Sequence, residues 1–176
     1  MRPSLSLIDL MEYTEWERQK WHAWLRQRGG DALKTSAGPH GDGRMNTVGD
    51  VVKHVFSAER RFVDRLSGRP LTDVACLPND DVEALFQFGE QSRKDLREYV
   101  DKFPVEEWDV PQDHKMLNQI LTATPKKVIA HIVMHEIRHW AQIATMLRMN
   151  GLTDDFHDFL FSPVLGGGLR PDNDKA

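Results

Sequence analysis

The sequence predicts an all-α fold, a four-helix bundle with a short irregular or strand-containing connection before the last helix. Three observations carry this. Four long segments repeat apolar residues at helical spacing. Each segment ends at a breaker: Gly29-Gly30, Gly68 with Pro70, Pro104, and Asn150-Gly151. Strand signal is nearly absent outside WDVPQDHKMLNQILTATP. A chain of 176 residues suits one domain with a full core.

The first helix is expected from about Ser4 to Arg28, with Leu10, Tyr13, Thr14, Glu17, Trp21, Trp24 and Leu25 along one stripe. The loop AGPHGDG follows; it lacks the lysine and the preceding strand of a phosphate loop, so it reads as a connection. Thr47 and Asp50 form a capping-box pattern at the start of the second helix. That helix turns Val48, Val51, Val52, Val55, Phe62 and Leu66 inward, with His54 at the edge of the stripe. Glu59 falls among the valines. A buried carboxylate needs a partner, so Glu59 is either bonded to the first helix, or placed behind a site, or exposed on a rotated helix.

The third helix spans about Asp80 to Lys102, with Val82, Leu85, Phe86, Leu96, Tyr99, Val100 and Phe103 apolar. The fourth opens at Thr124-Pro125, proline being favoured at the first helical position, and closes at Asn150-Gly151. In the tail, Phe156, Phe159, Leu160 and Phe161 are expected to pack on the bundle. Residues 1–165 then form the bundle domain and 166–176 a flexible C-terminal tail.

The chemistry concentrates in His135-Glu136-Ile137-Arg138-His139. At ~100° per residue, histidines four apart stand only about 40° from each other, so both imidazoles reach one point. One more nitrogen from another helix, His54, completes a facial three-ligand set with a position left open. His131 shares the same face, within about 80° of arc at ~100° per residue. Three imidazoles on a core-facing stripe are hard to justify by packing, since each neutral ring still needs its nitrogens satisfied. Spacing alone leaves open which two of His131, His135 and His139 bind.

The same residues spell H-E-x-x-H, the zinc-peptidase signature in which the glutamate is general base. No glutamate follows Glu136, and WAQIAT replaces the glycine and third histidine of the longer pattern. A peptidase also needs an edge strand for its substrate. The peptidase reading is therefore the weakest of those considered.

Formal net charge is −4 with no dominant basic face, a poor match to a nucleic-acid backbone. Asp9 and Glu12 interrupt the N-terminal apolar run, and no stretch is long and apolar enough to cross a membrane. The one cysteine, Cys76, cannot form an internal disulfide and is expected as a small buried hydrophobe, which fits a cytoplasmic location. Trp16 stands about 140° from Trp21 at ~100° per residue, so one stripe cannot bury Trp16, Trp21 and Trp24 together. Trp16 marks either a homodimer contact or a surface covered by the C-terminal tail.

TPKKVIAHIVMHEIRHWAQIATMLRMNG resembles the final-helix signature of the DinB-like (DinB/YfiT-like) family: a Thr-Pro start, HxxxH, a glutamine soon after and a Leu-Arg-x-x-Gly end. VGDVVKHVFSAERRFVDRLSG is similar to the second-helix segment of that family, and EYTEWERQKWHAWL to its first helix. The resemblance runs from about Leu7 to Leu165. It implies an up-down-down-up bundle, often a homodimer, holding a divalent metal, commonly zinc or nickel. His54, His135 and His139 match the family's three ligand positions; His131 matches a histidine that is not a ligand. Relatives so characterised activate low-molecular-weight thiols for transfer to electrophiles. The expected function is accordingly metal-dependent activation of a thiol, or of water, toward an electrophilic small molecule. The alternative is a non-catalytic metal-binding or damage-response protein with a structural metal.

Overall fold

The computed structural model describes residues 4–38, 43–116, 118–154 and 157–166. The chain is mostly helical with one two-stranded antiparallel sheet. Its elements are α1 (Leu7–Arg28), α2 (Gly30–Leu33), α3 (Val48–Leu66), α4 (Val82–Lys102), β1 (Gln112–Met116), β2 (Gln119–Ala123) and α5 (Pro125–Met149). Single 3-10 turns occupy Val105–Glu107 and Phe159–Phe161.

Cap chemistry fixes where the helices begin. Helix α1 starts at Leu7 rather than at the expected Ser4, because Ser6 and not Ser4 has an aspartate three residues on. The Asp9 amide donates to the Ser6 hydroxyl (3.1 Å) and the Ser6 amide to the Asp9 carboxylate (2.7 Å). Thr47 and Asp50 make the same reciprocal pair on α3. Asp81 caps α4, and Thr124 caps α5 ahead of Pro125. Each such cap contributes about 1 kcal/mol. Gly29, at φ 70°, ends α1 in a conformation that favours glycine. The expected stop at Gly29-Gly30 is therefore real, but the chain resumes at once as the single turn α2.

Helix α3 packs against α4 and α5, and α1 packs against α5 and α4. Gly89 lets α4 close on α3: a Cβ there would stand 2.7 Å from the Phe56 ring. The core has two apolar parts. One gathers Trp21, Val55, Phe56, Phe86, Trp140 and Leu147; the other gathers Met11, Val63, Leu96, Ile129 and Val133. Between them lies a buried charged layer to which every long helix contributes, through Arg18, Glu59, Arg93 and Glu136, with Glu17 buried next to Arg18 on α1. Along α1 and α5 the chain passes from the Met11 part through the charge to the Trp21 part. Along α3 and α4 it runs the other way.

The stretch before α5 forms the hairpin that the sequence suggested, with His114 opposite Leu121 and Gln112 opposite Ala123. His114 and Ala123 turn into the core. Backbone contact with Lys115 from Arg65 (3.4 Å) ties the hairpin to α3.

Two expectations fail in detail. Leu160 is 79% exposed, because successive residues of a 3-10 turn point about 120° apart and cannot all face inward. Phe159 does pack, edge-on to Tyr13 at 5.1 Å. Cys76 is exposed rather than buried, since it lies in a turn beyond α3 and outside any apolar stripe. Phe156 and the tail from residue 167 onward lie outside the described residues. Among the described residues no helix is long and apolar enough to cross a membrane.

Candidate metal centre

His54 stands in the second turn of α3, one step off the valine stripe, and is half-buried. His135 and His139 are one turn apart on α5, the second of them buried. The packing of α3 on α5 brings all three rings together. His135 Nε2 is 3.1 Å from His54 Nε2 and 3.2 Å from His139 Nε2. One ligand nitrogen from each ring lies within 4.8 Å of the others. Two nitrogens bound at ~2.0–2.1 Å to one tetrahedral zinc stand about 3.3 Å apart, so these separations suit a shared divalent ion.

The electrostatics point the same way. Burial, with the adjacent His139, His54, His131 and Arg138, lowers the His135 pKa to about 3. Burial also lowers His139, against a raising hydrogen bond to Gln142. These rings are therefore neutral at neutral pH, and a neutral imidazole has one N–H and one lone pair. His135 Nε2 faces two other Nε2 atoms, at distances that an N–H···N bond also allows, and a metal ion between them would take the lone pairs of all three rings at once. His139 Nδ1 lies 2.8 Å from Gln142 Oε1. An Nδ1–H donated to that oxygen leaves Nε2 as the free lone pair, the tautomer a metal ligand requires.

His131 does not join the group. Its ring lies 5.5 Å from that of His135 and stands edge-on to Phe62 at 5.1 Å. Among the described residues, no fourth histidine, cysteine or carboxylate joins the three.

Glu136 lies between the two ligand histidines in sequence but is directed into the core. Its Oε1 accepts from Arg18 Nε (2.5 Å) and from the Trp140 indole (3.0 Å), and its Oε2 from Arg18 Nη2 (2.8 Å) and Arg93 Nη2 (2.6 Å). Such a carboxylate is unsuited to serve as a base over the histidines. Glu59 is the same kind of group: Arg18 donates to it at 2.8 Å and Arg93 at 2.9 Å. Burial alone would raise its pKa, but the two guanidiniums outweigh burial and hold it low. Of the readings open for Glu59, the bond to the first helix is the one observed. Arg18 and Arg93 were not singled out from sequence, although each falls on the buried stripe of its helix. Gln142, one turn beyond His139, was legible as a motif position and as a residue sharing the histidine face, but not as the partner of His139.

A mostly helical protein in which two helices converge three imidazoles on one point belongs among helical proteins with a candidate metal centre. The sequence pattern of the DinB family matches residues 1–165, and the chain belongs to that family. A search of curated proteins returned no match.

Proposed function

We propose that the chain is a divalent-metal protein, with His54, His135 and His139 as ligands and zinc or nickel as the ion. In this reading it activates a low-molecular-weight thiol, or water, for transfer to an electrophilic small molecule. The observation that carries it is the convergence of three imidazole nitrogens, those of His135 and His139 held neutral by burial, with no fourth protein ligand among the described residues. A closed four-ligand set would favour a structural metal; three ligands leave room for a substrate. A divalent ion at that point supplies Lewis acidity, which favours thiolate or hydroxide near neutral pH. The chain's own contribution is positional. Gln142 orients His139, and the Arg18–Glu59–Arg93–Glu136 layer ties the helices that carry the histidines.

The architecture proposed is an up-down-down-up four-helix bundle over residues 1–165. The reversed order of the two core parts on α3 and α4 relative to α1 and α5 supports it. Homodimer formation is part of the proposal. Trp16 remains half-buried, with Tyr13 stacked on one side and Lys20 over its ring. Light scattering tests this: a mass of 20.3 kDa would exclude the dimer.

The deciding experiment is elemental analysis of the purified protein, then a panel of thiols offered to a generic electrophile with and without chelator. About one metal per chain and chelator-sensitive thiol consumption are expected. Metal without any thiol- or water-dependent turnover would favour the structural role.

A further inference from the structure

On the side of α5 away from the histidines lies a cavity of about 490 Å³, within the ~300–1,000 Å³ of small-molecule sites. It sits between α1, α5 and the segment around His157. Glu17 lines it and is only 4% exposed, and its Oε2 has no hydrogen-bond partner. The neighbouring polar layer offers no cation to it. Arg18 and Arg93 are already matched by Glu59 and Glu136, two charges against two. Glu17 is a third carboxyl beside a balanced pair of pairs.

The rest of the lining joins apolar and acidic residues with Tyr13, Thr145, Arg148 and the His157 ring, which stacks on Trp21 at 4.3 Å. Trp21 and Trp140 form the inner wall, and Asp154 and Asp158 add carboxylates. The guanidinium in the lining, Arg148, is directed to Asp154 at 3.6 Å. We propose that this cavity is a binding site for a small organic ammonium ion, with Glu17 as its buried counter-ion. A metal ion fits worse: hard cations need several oxygens around one point, and Glu17, Asp154 and Asp158 form no such cluster. An alkylammonium needs one buried carboxylate for its head and apolar walls for its chain, and both are present.

Burial and the adjacent Glu136 raise the Glu17 pKa to about 8, against a lowering contribution from the Trp21 indole. Without a cation the group holds its proton near neutral pH. An arriving ammonium ion displaces that proton, so binding at pH 7 releases up to one proton per site. The site is independent of the metal-centre reading, since it uses a different face of α5 and none of its histidines.

The test is calorimetric titration of the full chain with butylammonium at pH 7, in two buffers of different ionisation enthalpy, with butyrate and butanol as controls. Saturable binding of butylammonium with net proton release is expected, together with no binding of butyrate. Glu17→Gln, which keeps the shape and removes the charge, should weaken binding at least tenfold and abolish proton release. The proposal is overturned if butylammonium does not bind, if either control binds as well, or if Glu17→Gln binds unchanged. Should that variant not fold, proton release by the unaltered protein decides: its absence overturns the assignment.

Discussion

Arg18 on α1 grips Glu136 on α5 through two nitrogens, Nε to Oε1 at 2.5 Å and Nη2 to Oε2 at 2.8 Å. The same Arg18 Nη2 reaches Glu59 on α3, and Arg18 Nη1 reaches the Gly89 carbonyl on α4 (3.1 Å). One guanidinium thus touches each of the other long helices, close to the residues that flank the histidine cluster.

Arg18→Met is expected to lower stability by about 3–5 kcal/mol, because it leaves buried carboxylates short of a cation. Chemical denaturation measures this. A loss of about 1 kcal/mol or less would mean that water or Arg93 replaces the lost charge. Glu136→Gln should be destabilising as well, without exposing any peptide hydrolysis to lose.

Divalent metal in excess should raise Tm. At about 100 times Kd, binding adds ~2.7 kcal/mol, or roughly 5–10 °C for a chain of this size. Thermal scans with zinc, nickel and chelator test it. The His135→Ala, His139→Ala double variant should show no metal-dependent shift; a retained shift would remove these histidines from the site.

Gln142→Leu should weaken metal binding by about 10–100-fold, the usual effect of removing the group that orients a ligand imidazole. Its metal-free Tm should move little, since Gln142 is only half-buried. Competition with a chromogenic chelator reads the affinity. Unchanged affinity would mean that the tautomer of His139 is fixed by something else.

Glu17 gives stability a pH dependence. Its ordinary pKa is 4.5 and its folded one about 8. Between those values the folded chain keeps a proton that the unfolded chain has lost, so stability falls as pH rises through the window. Glu17→Gln should therefore gain Tm over the parent at pH 9 and gain much less at pH 5. Equal shifts at both pH values would show that this carboxyl does not titrate between them.

Local signals were the ones the sequence displayed. Thr47 with Asp50, Thr124 with Pro125, and the i, i+4 spacing of His135 and His139 each act within one or two turns, so each can be read along the chain. The start of α1 was misplaced because Ser4 and Ser6 are both plausible caps until the position of Asp9 is weighed. What stayed hidden is long-range. Arg18 and Glu136 are 118 residues apart, and nothing in either helix's periodicity says which carboxylate a buried guanidinium will meet. Glu59 announced only that it lacked a partner.

The charged layer also acts as a register pin. Sliding any of the four long helices by one turn, about 5.4 Å, would push an arginine or glutamate among tryptophans and phenylalanines and leave its former partner bare. Apolar surfaces alone tolerate such slippage; this interior does not. The two apolar halves can therefore drift in composition, leucine for methionine or valine for isoleucine, while the axial alignment of the helices, and with it the meeting of His54 with His135 and His139, stays locked.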